Sequence, residues 1–117
     1  MKYCIAIGEK TSPTTALNLD GDFVESMKRA KNLGYDGVEI HTSDPEVSDV
    51  GRLRRACEEL DMFIATIGTG TVYWKYGLHL KDNDGERTNQ LLERLKIFID
   101  IAEKLGSKVT IGSVKGN

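Results

Sequence analysis

The sequence predicts an α/β protein in which strands alternate with helices and pair in parallel. Three observations predict it: apolar strand-like runs recur, helical periods separate them, and the helical stretches end at glycines. A parallel connection needs a crossover long enough to hold a helix, and such crossovers are right-handed. The 117 residues fit one hydrophobic core, so we expect a single domain over residues 1–117.

The first half of the chain supplies two predicted strands and a helix. KYCIAIG is the first strand, and Asp22 with Glu25 three residues later makes a capping-box pattern. Apolar residues then recur at helical spacing as far as Leu33, and Gly34 ends the helix. GVEI follows as the second strand. Asp49 can cap the next helix, which leads into a third strand, FIATIG.

The second half supplies a long helix and a fourth strand. The segment from Thr69 to Asp84 combines glycines with aromatic residues and lacks a strong helical period, so we expect a mobile, ligand-facing loop. The longest helix is predicted from about residue 85 to Leu105, with Gly106 as its stop. KVTIG is the fourth strand.

Two segments of the chain echo each other. AKNLGYDGVEI, from Ala30, and AEKLGSKVTI, from Ala102, share the order alanine, leucine, glycine, strand, with one residue fewer in the second loop. The repeating unit is therefore helix, glycine stop, strand. Two architectures contain such units: an open doubly wound sheet and part of a (β/α)8 barrel.

Strand polarity favours the barrel. Strands covered on both faces are apolar on both, whereas a barrel strand turns one set of side chains to the helices and the other into the lumen. We expect these to face the helices: Val38, Ile40, Val109 and Ile111. We expect these to face inward: Gly37, Glu39, His41, Thr110 and Gly112. Barrel enzymes build their sites at the carboxyl ends of the strands, which makes Glu39 and His41 candidate site residues.

Composition excludes several classes of function. Charged residues make up 29% of the chain and alternate in sign, with a net charge of -2, so we expect no nucleic-acid partner. Cys4 and Cys57 lack the spacing of a metal site or a disulfide framework and are expected to be reduced core residues. No apolar run approaches the roughly 18 residues of a membrane helix, and the N-terminus has no secretory segment, so we expect a cytoplasmic protein.

GYDGVEI, ATIGTG and the run RTNQLLERLKIFIDIAEKLGSKVTIG resemble the first half of the xylose-isomerase-like barrel superfamily. That superfamily holds sugar-phosphate isomerases and epimerases, ketose 3-epimerases and, more distantly, endonuclease-IV-type repair enzymes. The resemblance implies the N-terminal half of a TIM barrel, that is, the first four strands. Relatives run to about twice this length and carry their metal-binding carboxylates and histidine on later strands, so it implies no catalytic residue and no metal ligand here.

The chemistry that the resemblance implies is proton transfer next to a carbonyl, with a divalent metal (Mn, Mg, Co or Zn) in a full-length relative. Glu39 would then hydrogen-bond a sugar hydroxyl or orient a metal ligand of the other half, unless it pairs with a lysine or arginine. His41 would bind substrate or cap the next loop. Glu9 would support the same face, unless it is a solvated loop residue.

Further candidates follow the third and fourth strands. Gly68 and Gly70 let backbone approach a ligand, and Trp74 can lay its ring against a sugar or belong to a lid. Ser113 and Lys115 fall at the carboxyl end of strand four, where Lys115 meets a phosphate or carboxylate or is a solvated charge.

Two further patterns have structural readings. GTGT lacks the third glycine and an immediately following helix, so it is not a dinucleotide fingerprint. Arg87 is expected to anchor the long helix through a carboxylate or a backbone carbonyl.

Two functions from different classes remain. The first is a fragment of a metal-dependent sugar or sugar-phosphate isomerase or epimerase, inactive alone. The second is a self-complete half-barrel that acts as a non-catalytic assembly or ligand-binding module. In both, strands one and four would expose unpaired backbone groups, so we expect a homo-oligomer.

Overall fold

The structure is a computed structural model that describes residues 1–8, 22–43 and 50–116. The expected Asp49 cap and the candidate Glu9 lie outside these residues. The elements are β1 (Cys4–Gly8), α1 (Phe23–Asn32), β2 (Gly37–His41), α2 (Val50–Leu60), β3 (Phe63–Gly68), α3 (Gly70–Tyr76), α4 (Gly85–Leu105) and β4 (Lys108–Thr110), followed by a short 3-10 helix at Ser113–Lys115.

The four strands form one parallel sheet in the order β1-β2-β3-β4. α1 packs against α2, and α2 packs against α4, so these three helices lie on one side of the sheet. A doubly wound sheet carries helices on both faces, whereas a barrel carries them on one. The predicted α/β class is therefore confirmed, with the barrel type of winding.

An apolar row crosses the sheet beneath the helices. Ile7 is paired with Ile40, Ile40 with Ile67, and Ile67 with Val109. Ile40 and Ile67 border a small cavity together with Leu53 of α2 and with Phe98, Ile101 and Leu105 of α4. The hydrophobic core therefore lies between this row and the helix layer.

Two apolar residues lie outside the core, contrary to the sequence prediction. Leu33 is 66% exposed because α1 ends at Asn32 and Gly34, with φ +94°, turns the chain away from the helix axis. Ile111 is 51% exposed because β4 ends at Thr110. No element among the described residues covers Ile111 from the far side of β4.

The segment from Thr69 to Asp84, expected to be a mobile, ligand-facing loop, contains a helix in its first half. α3 begins directly after β3 and ends at Gly77, which adopts the left-handed conformation that closes a helix. Val72 is fully buried, and this burial holds a helix of two turns, which is too short to show a period in the sequence. The helix begins inside GTGT, at Gly70, although no helix was expected directly at this motif.

The predicted cap of α1 at Asp22 and the predicted stop of α4 at Gly106 are confirmed, and Asp84 is a cap that the sequence prediction did not name. The Asp22 carboxylate accepts the N–H of Glu25 at 3.1 Å, and Asp84 caps α4 in the same way. Asp22 also pairs with Arg52 of α2, at 2.6 and 3.0 Å, so one carboxylate joins the start of α1 to α2. Within the described residues, no helix is long and apolar enough to cross a membrane.

We predict that Asp22→Ala lowers the free energy of unfolding by about 1 kcal/mol, the usual value of an N-cap. Loss of the ion pair with Arg52 adds only about a few tenths of a kcal/mol to this cost, because both side chains are substantially exposed. Asp22→Asn keeps the cap and loses the ion pair, so it should cost less than Asp22→Ala. Urea denaturation of the three proteins measures this, and equal losses for both variants would contradict it.

Candidate functional site

Glu39 and His41 lie on the sheet face opposite the helices. Ile40 between them faces Leu53 and Phe98, and neighbouring side chains of a strand point to opposite faces. Both residues are half-buried. Their orientation agrees with the sequence prediction, and their roles toward a substrate stay predictions.

Strand register places further polar residues on this inner face. Glu39 is paired with Ala6 on one side and Thr66 on the other, and Thr66 is paired with Lys108. Two residues along, His41 is paired with Gly8 and Gly68, and Gly68 with Thr110. The inner face therefore carries a carboxylate, an imidazole, two hydroxyls and an amine at the carboxyl half of the sheet.

Thr66 and Lys108 were not among the predicted site residues. The register between β2 and β3 shifts at Val38 and Glu39, so β3 carries one extra residue there. Such a bulge breaks the alternation from which strand polarity is inferred. Lys108 begins a strand of three residues, too short for its alternation to be informative.

The imidazole of His41 fills the space beside Gly68. A Cβ atom on Gly68 would lie 2.5 Å from His41 Nδ1, and one on Gly8 would collide with the His41 carbonyl oxygen. Gly68 was predicted to let the backbone approach a ligand closely. In the structure the space beside it holds the histidine ring, so the glycines on both neighbouring strands set the position of His41.

Burial and a neighbouring negative charge act in opposite directions on the pKa of His41. Burial lowers the pKa of the imidazole below its ordinary value, and the negative charge of Glu39 opposes this by raising it. Desolvation of an imidazolium therefore outweighs its attraction to the carboxylate. The neutral ring is favoured near pH 7, and a neutral imidazole both donates and accepts a hydrogen bond.

Cys4 is a further inner-face group, paired in register with Gly37. Burial raises the pKa of the Cys4 thiol, and the charges of Glu39 and Asp36 raise it further. The free thiol is thus kept protonated beside the carboxylate. The sequence analysis treated it as a core residue, and the structure leaves it only half-buried.

α3 and the end of β4 are held together at the carboxyl edge of the sheet. Thr69 donates to the Thr110 carbonyl oxygen from both its hydroxyl, at 2.8 Å, and its backbone N–H, at 3.3 Å. A Cβ atom on Gly70 would lie 3.9 Å from Ser113 Oγ, so these two predicted site residues are neighbours. Lys115, two residues on, is exposed.

Two arginines of α4 anchor α3. Arg87 donates to Asp82 Oδ2 at 2.8 Å and to the Gly77 carbonyl oxygen at 2.9 Å, which are the two kinds of contact expected of it. Arg94 lies 4.3 Å above the Tyr76 ring and donates to the Ser43 carbonyl oxygen at 2.9 Å. The segment expected to be mobile is therefore tied to the long helix.

Trp74 lies on α3 and is 54% exposed. Its ring meets that of Tyr73 edge to face, with centroids 5.3 Å apart. A large aromatic surface is thus available next to the carboxyl edge of the sheet, and its contact with a sugar remains a prediction.

The described residues do not form a complete metal site. Among residues 1–8, 22–43 and 50–116, no three side chains of histidine, cysteine, aspartate or glutamate lie together in a way that could hold an ion.

Comparison with known proteins shows the fold. The chain matches no protein-family model, and it has no significant match to a curated protein. It is similar to the structure of 3-keto-D-glucoside 4-epimerase YcjR from E. coli, with a TM-score of 0.65 and 21% identity over 94% of this chain and 37% of the epimerase.

Two more solved structures are similar. D-allulose 3-epimerase from Methylomonas sp., in complex with D-allulose, gives a TM-score of 0.69 and 19% identity over 95% of this chain and 36% of the epimerase. AP endonuclease, family 2, from Brucella melitensis gives a TM-score of 0.62 and 18% identity over 92% of this chain and 38% of the endonuclease. The fold is thus that of part of a TIM barrel, with four parallel strands alternating with helices, which confirms the predicted half-barrel architecture. The chain spans less than two-fifths of each of these proteins.

We predict that Gly68→Ala lowers the free energy of unfolding by about 1–3 kcal/mol, because its methyl group would overlap the His41 ring. The double variant Gly68→Ala, His41→Ala should lose less than the sum of the two single losses. Denaturant unfolding of all four proteins gives this coupling energy, and strictly additive losses would show that the ring does not occupy this space.

We predict an imidazole pKa for His41 below its ordinary value, falling further in Glu39→Gln because the carboxylate is what raises it. Because folding lowers the pKa of His41, the unfolded chain binds the proton at a higher pH than the folded chain does. Stability from this group is therefore present above about pH 6.5 and is lost as pH falls through the folded-state pKa. NMR titration of the His41 ring protons measures this pKa in the wild type and in Glu39→Gln. A rise in Glu39→Gln would contradict the assignment.

Proposed function

We propose that this chain provides part of the active face of a sugar isomerase or epimerase, and that its inner face binds a sugar or sugar phosphate. The observation that carries the proposal is the placement of Glu39 and His41 on the inner face, in register with Thr66 and Thr110, at the carboxyl half of the sheet. Barrel enzymes bind substrates at that end.

The chemistry of the inner face suits a polyol. The Glu39 carboxylate accepts hydrogen bonds from sugar hydroxyls, while the neutral imidazole and the threonine hydroxyls both donate and accept. The exposed Trp74 ring offers a flat apolar surface of the kind that covers a sugar face. Two of the similar structures are sugar epimerases, and one of them holds D-allulose.

The endonuclease similarity has less support from this chain. DNA binding rests on neutralising phosphates with clustered lysine and arginine. The net charge here is -2, and the described inner face carries Glu39 as well as Lys108, so it shows no cluster of basic side chains. A sugar therefore fits the described surface better than a polyanion.

We predict that D-allulose binds weakly to the chain and shifts the NMR signals of the His41 ring and the Trp74 indole. Glu39→Gln should weaken this binding several-fold, because an amide accepts hydrogen bonds less strongly than a carboxylate. Glu25→Gln is the matched control, because it makes the same chemical change on α1, away from the inner face. The Glu25 carboxylate is exposed there and pairs with Lys28. Equal binding by wild type and Glu39→Gln would contradict the role of Glu39.

We predict that the chain alone does not epimerise D-allulose, even with added manganese or cobalt. The resemblance to the xylose-isomerase-like superfamily implies metal ligands on later strands, and we propose that a second half supplies them to this chain. A chromatographic assay for the epimer tests this. Turnover by the chain alone would contradict the proposed division of the site, while leaving the sugar-binding face in place.

We further propose that the chain self-associates through β1 and β4, the two edge strands of the sheet. Residues Cys4–Gly8 carry no charge that would discourage strand pairing. A two-fold dimer that brings β1 of each copy to β4 of the other would restore eight strands. Light scattering over a concentration series tests this, and a monomer at all micromolar concentrations would contradict it.

A further inference from the structure

β4 is a short edge strand that hydroxyl groups tie to β3 at both ends. It comprises Lys108–Thr110 and pairs, among the described strands, with β3 alone. At its amino end the Ser107 hydroxyl donates to the Ile64 carbonyl oxygen at 2.6 Å. At its carboxyl end the Thr69 hydroxyl donates to the Thr110 carbonyl oxygen at 2.8 Å. A strand of three residues has few ladder hydrogen bonds of its own, so these two contacts add substantially to its attachment.

Thr69 uses its hydroxyl in an uncommon way. The residue lies at the N-cap position of α3, where a threonine hydroxyl commonly accepts a hydrogen bond from a backbone N–H of the first helical turn. The Thr69 hydroxyl makes no such bond. The hydroxyl and the N–H of Thr69 both donate to the Thr110 carbonyl oxygen, and the residue is fully buried. A side chain that could stabilise the start of α3 therefore holds the end of β4 instead.

The contact between Thr69 and Thr110 lies where three parts of the carboxyl edge meet. Thr69 is the one residue between β3 and α3, so its backbone sets the direction in which α3 leaves the sheet. Thr110 ends β4 and leads into the 3-10 helix at Ser113–Lys115. That helix packs against α3, and the Leu80 N–H donates to the Val114 carbonyl oxygen at 2.6 Å. A displacement of Thr110 relative to Thr69 therefore changes how α3 and the 3-10 helix meet.

Two candidate sugar contacts depend on this arrangement. Trp74 lies on α3, and Ser113 begins the 3-10 helix. Gly70, which follows Thr69, comes close to Ser113, because a Cβ atom on Gly70 would lie 3.9 Å from Ser113 Oγ. The hydrogen bonds from Thr69 to Thr110 thus set the distance between groups that come from separate parts of the chain.

We infer that Thr69 is a positioning residue of the candidate sugar site. Through its hydroxyl bond to Thr110 it holds Trp74 and Ser113 in place relative to the inner face, and its own buried side chain does not contact the sugar. Its part in sugar binding rests on the proposed function, whereas its hold on α3 rests on the described geometry alone. Ser107 ties β4 to β3 at the other end, away from these groups, and has a structural role only.

The test compares Thr69→Val with Ser107→Ala, its matched control. Each variant loses one hydrogen bond from a hydroxyl to a carbonyl oxygen at one end of β4, so both should lower the melting temperature by a similar few degrees. Only Thr69→Val should speed the hydrogen exchange of the Leu80 and Lys115 amides, which are hydrogen-bonded at the carboxyl edge. Thr69→Ser keeps the hydroxyl and should restore the wild-type exchange rates.

Binding of D-allulose separates positioning from stability. Trp74 is the single tryptophan of the chain, so its fluorescence reports a sugar at α3. Thr69→Val should raise the dissociation constant for D-allulose several-fold, while Thr69→Ser and Ser107→Ala keep it near the wild-type value. Equal weakening in Thr69→Val and Ser107→Ala, or no weakening in either, overturns the inference.

Failure of the proposed function differs in outcome from failure of this inference. A wild-type chain that does not respond to D-allulose contradicts the proposed function, and with it the part of Thr69 in sugar binding. Hydrogen exchange is measured without sugar. Unchanged exchange of the Leu80 and Lys115 amides in Thr69→Val therefore overturns the inference even where D-allulose binds.

Discussion

The packing of one apolar row against the helices determines the rest of the structure. Ile7, Ile40, Ile67 and Val109 share a level of the sheet, and α2 and α4 cover the middle of it. Each buried isoleucine contributes about 1.5–3 kcal/mol. A slip of β2 by one residue would exchange Ile40 for Glu39 and bury a carboxylate without a partner, which costs far more. The position of the site thus depends on the burial of residues that take no part in it.

Much of the fold was predictable from the sequence because its signals are local. Caps, glycine stops and helical periods gave α1 and α4, and β3 begins and ends where FIATIG does. α3 was missed because two turns are too short for a period, and its stability comes from Val72 and from the arginines of α4. Contacts between residues distant in sequence leave no pattern in a window of a few residues.

The sequence likewise predicted part of the candidate site, namely the sheet face of its residues, but not their contacts across strands. The alternation in GVEIH placed Glu39 and His41 correctly on the inner face. It could not show that the His41 ring lies against Gly68, since that contact depends on the register between two strands. Thr66 was missed because the bulge in β3 shifts the pairing by one residue, and Lys108 was missed because its strand has only three residues. The alternation of polarity along a strand thus predicts the sheet face on which a residue lies, whereas the register between strands determines its cross-strand neighbours.

The unequal length of the crossovers has a consequence for the order of folding. The segment that joins Gly37 to its partner Phe63 is shorter than the one joining Cys4 to Gly37, and the one joining Thr66 to Lys108 is the longest. The entropy lost on closing a chain segment grows with its length, so β2 and β3 are the pair that nucleates most readily. β4, with three residues and the longest closure, joins last. We therefore expect the β4 edge of the sheet, which closes last, to have the lowest free energy of local opening.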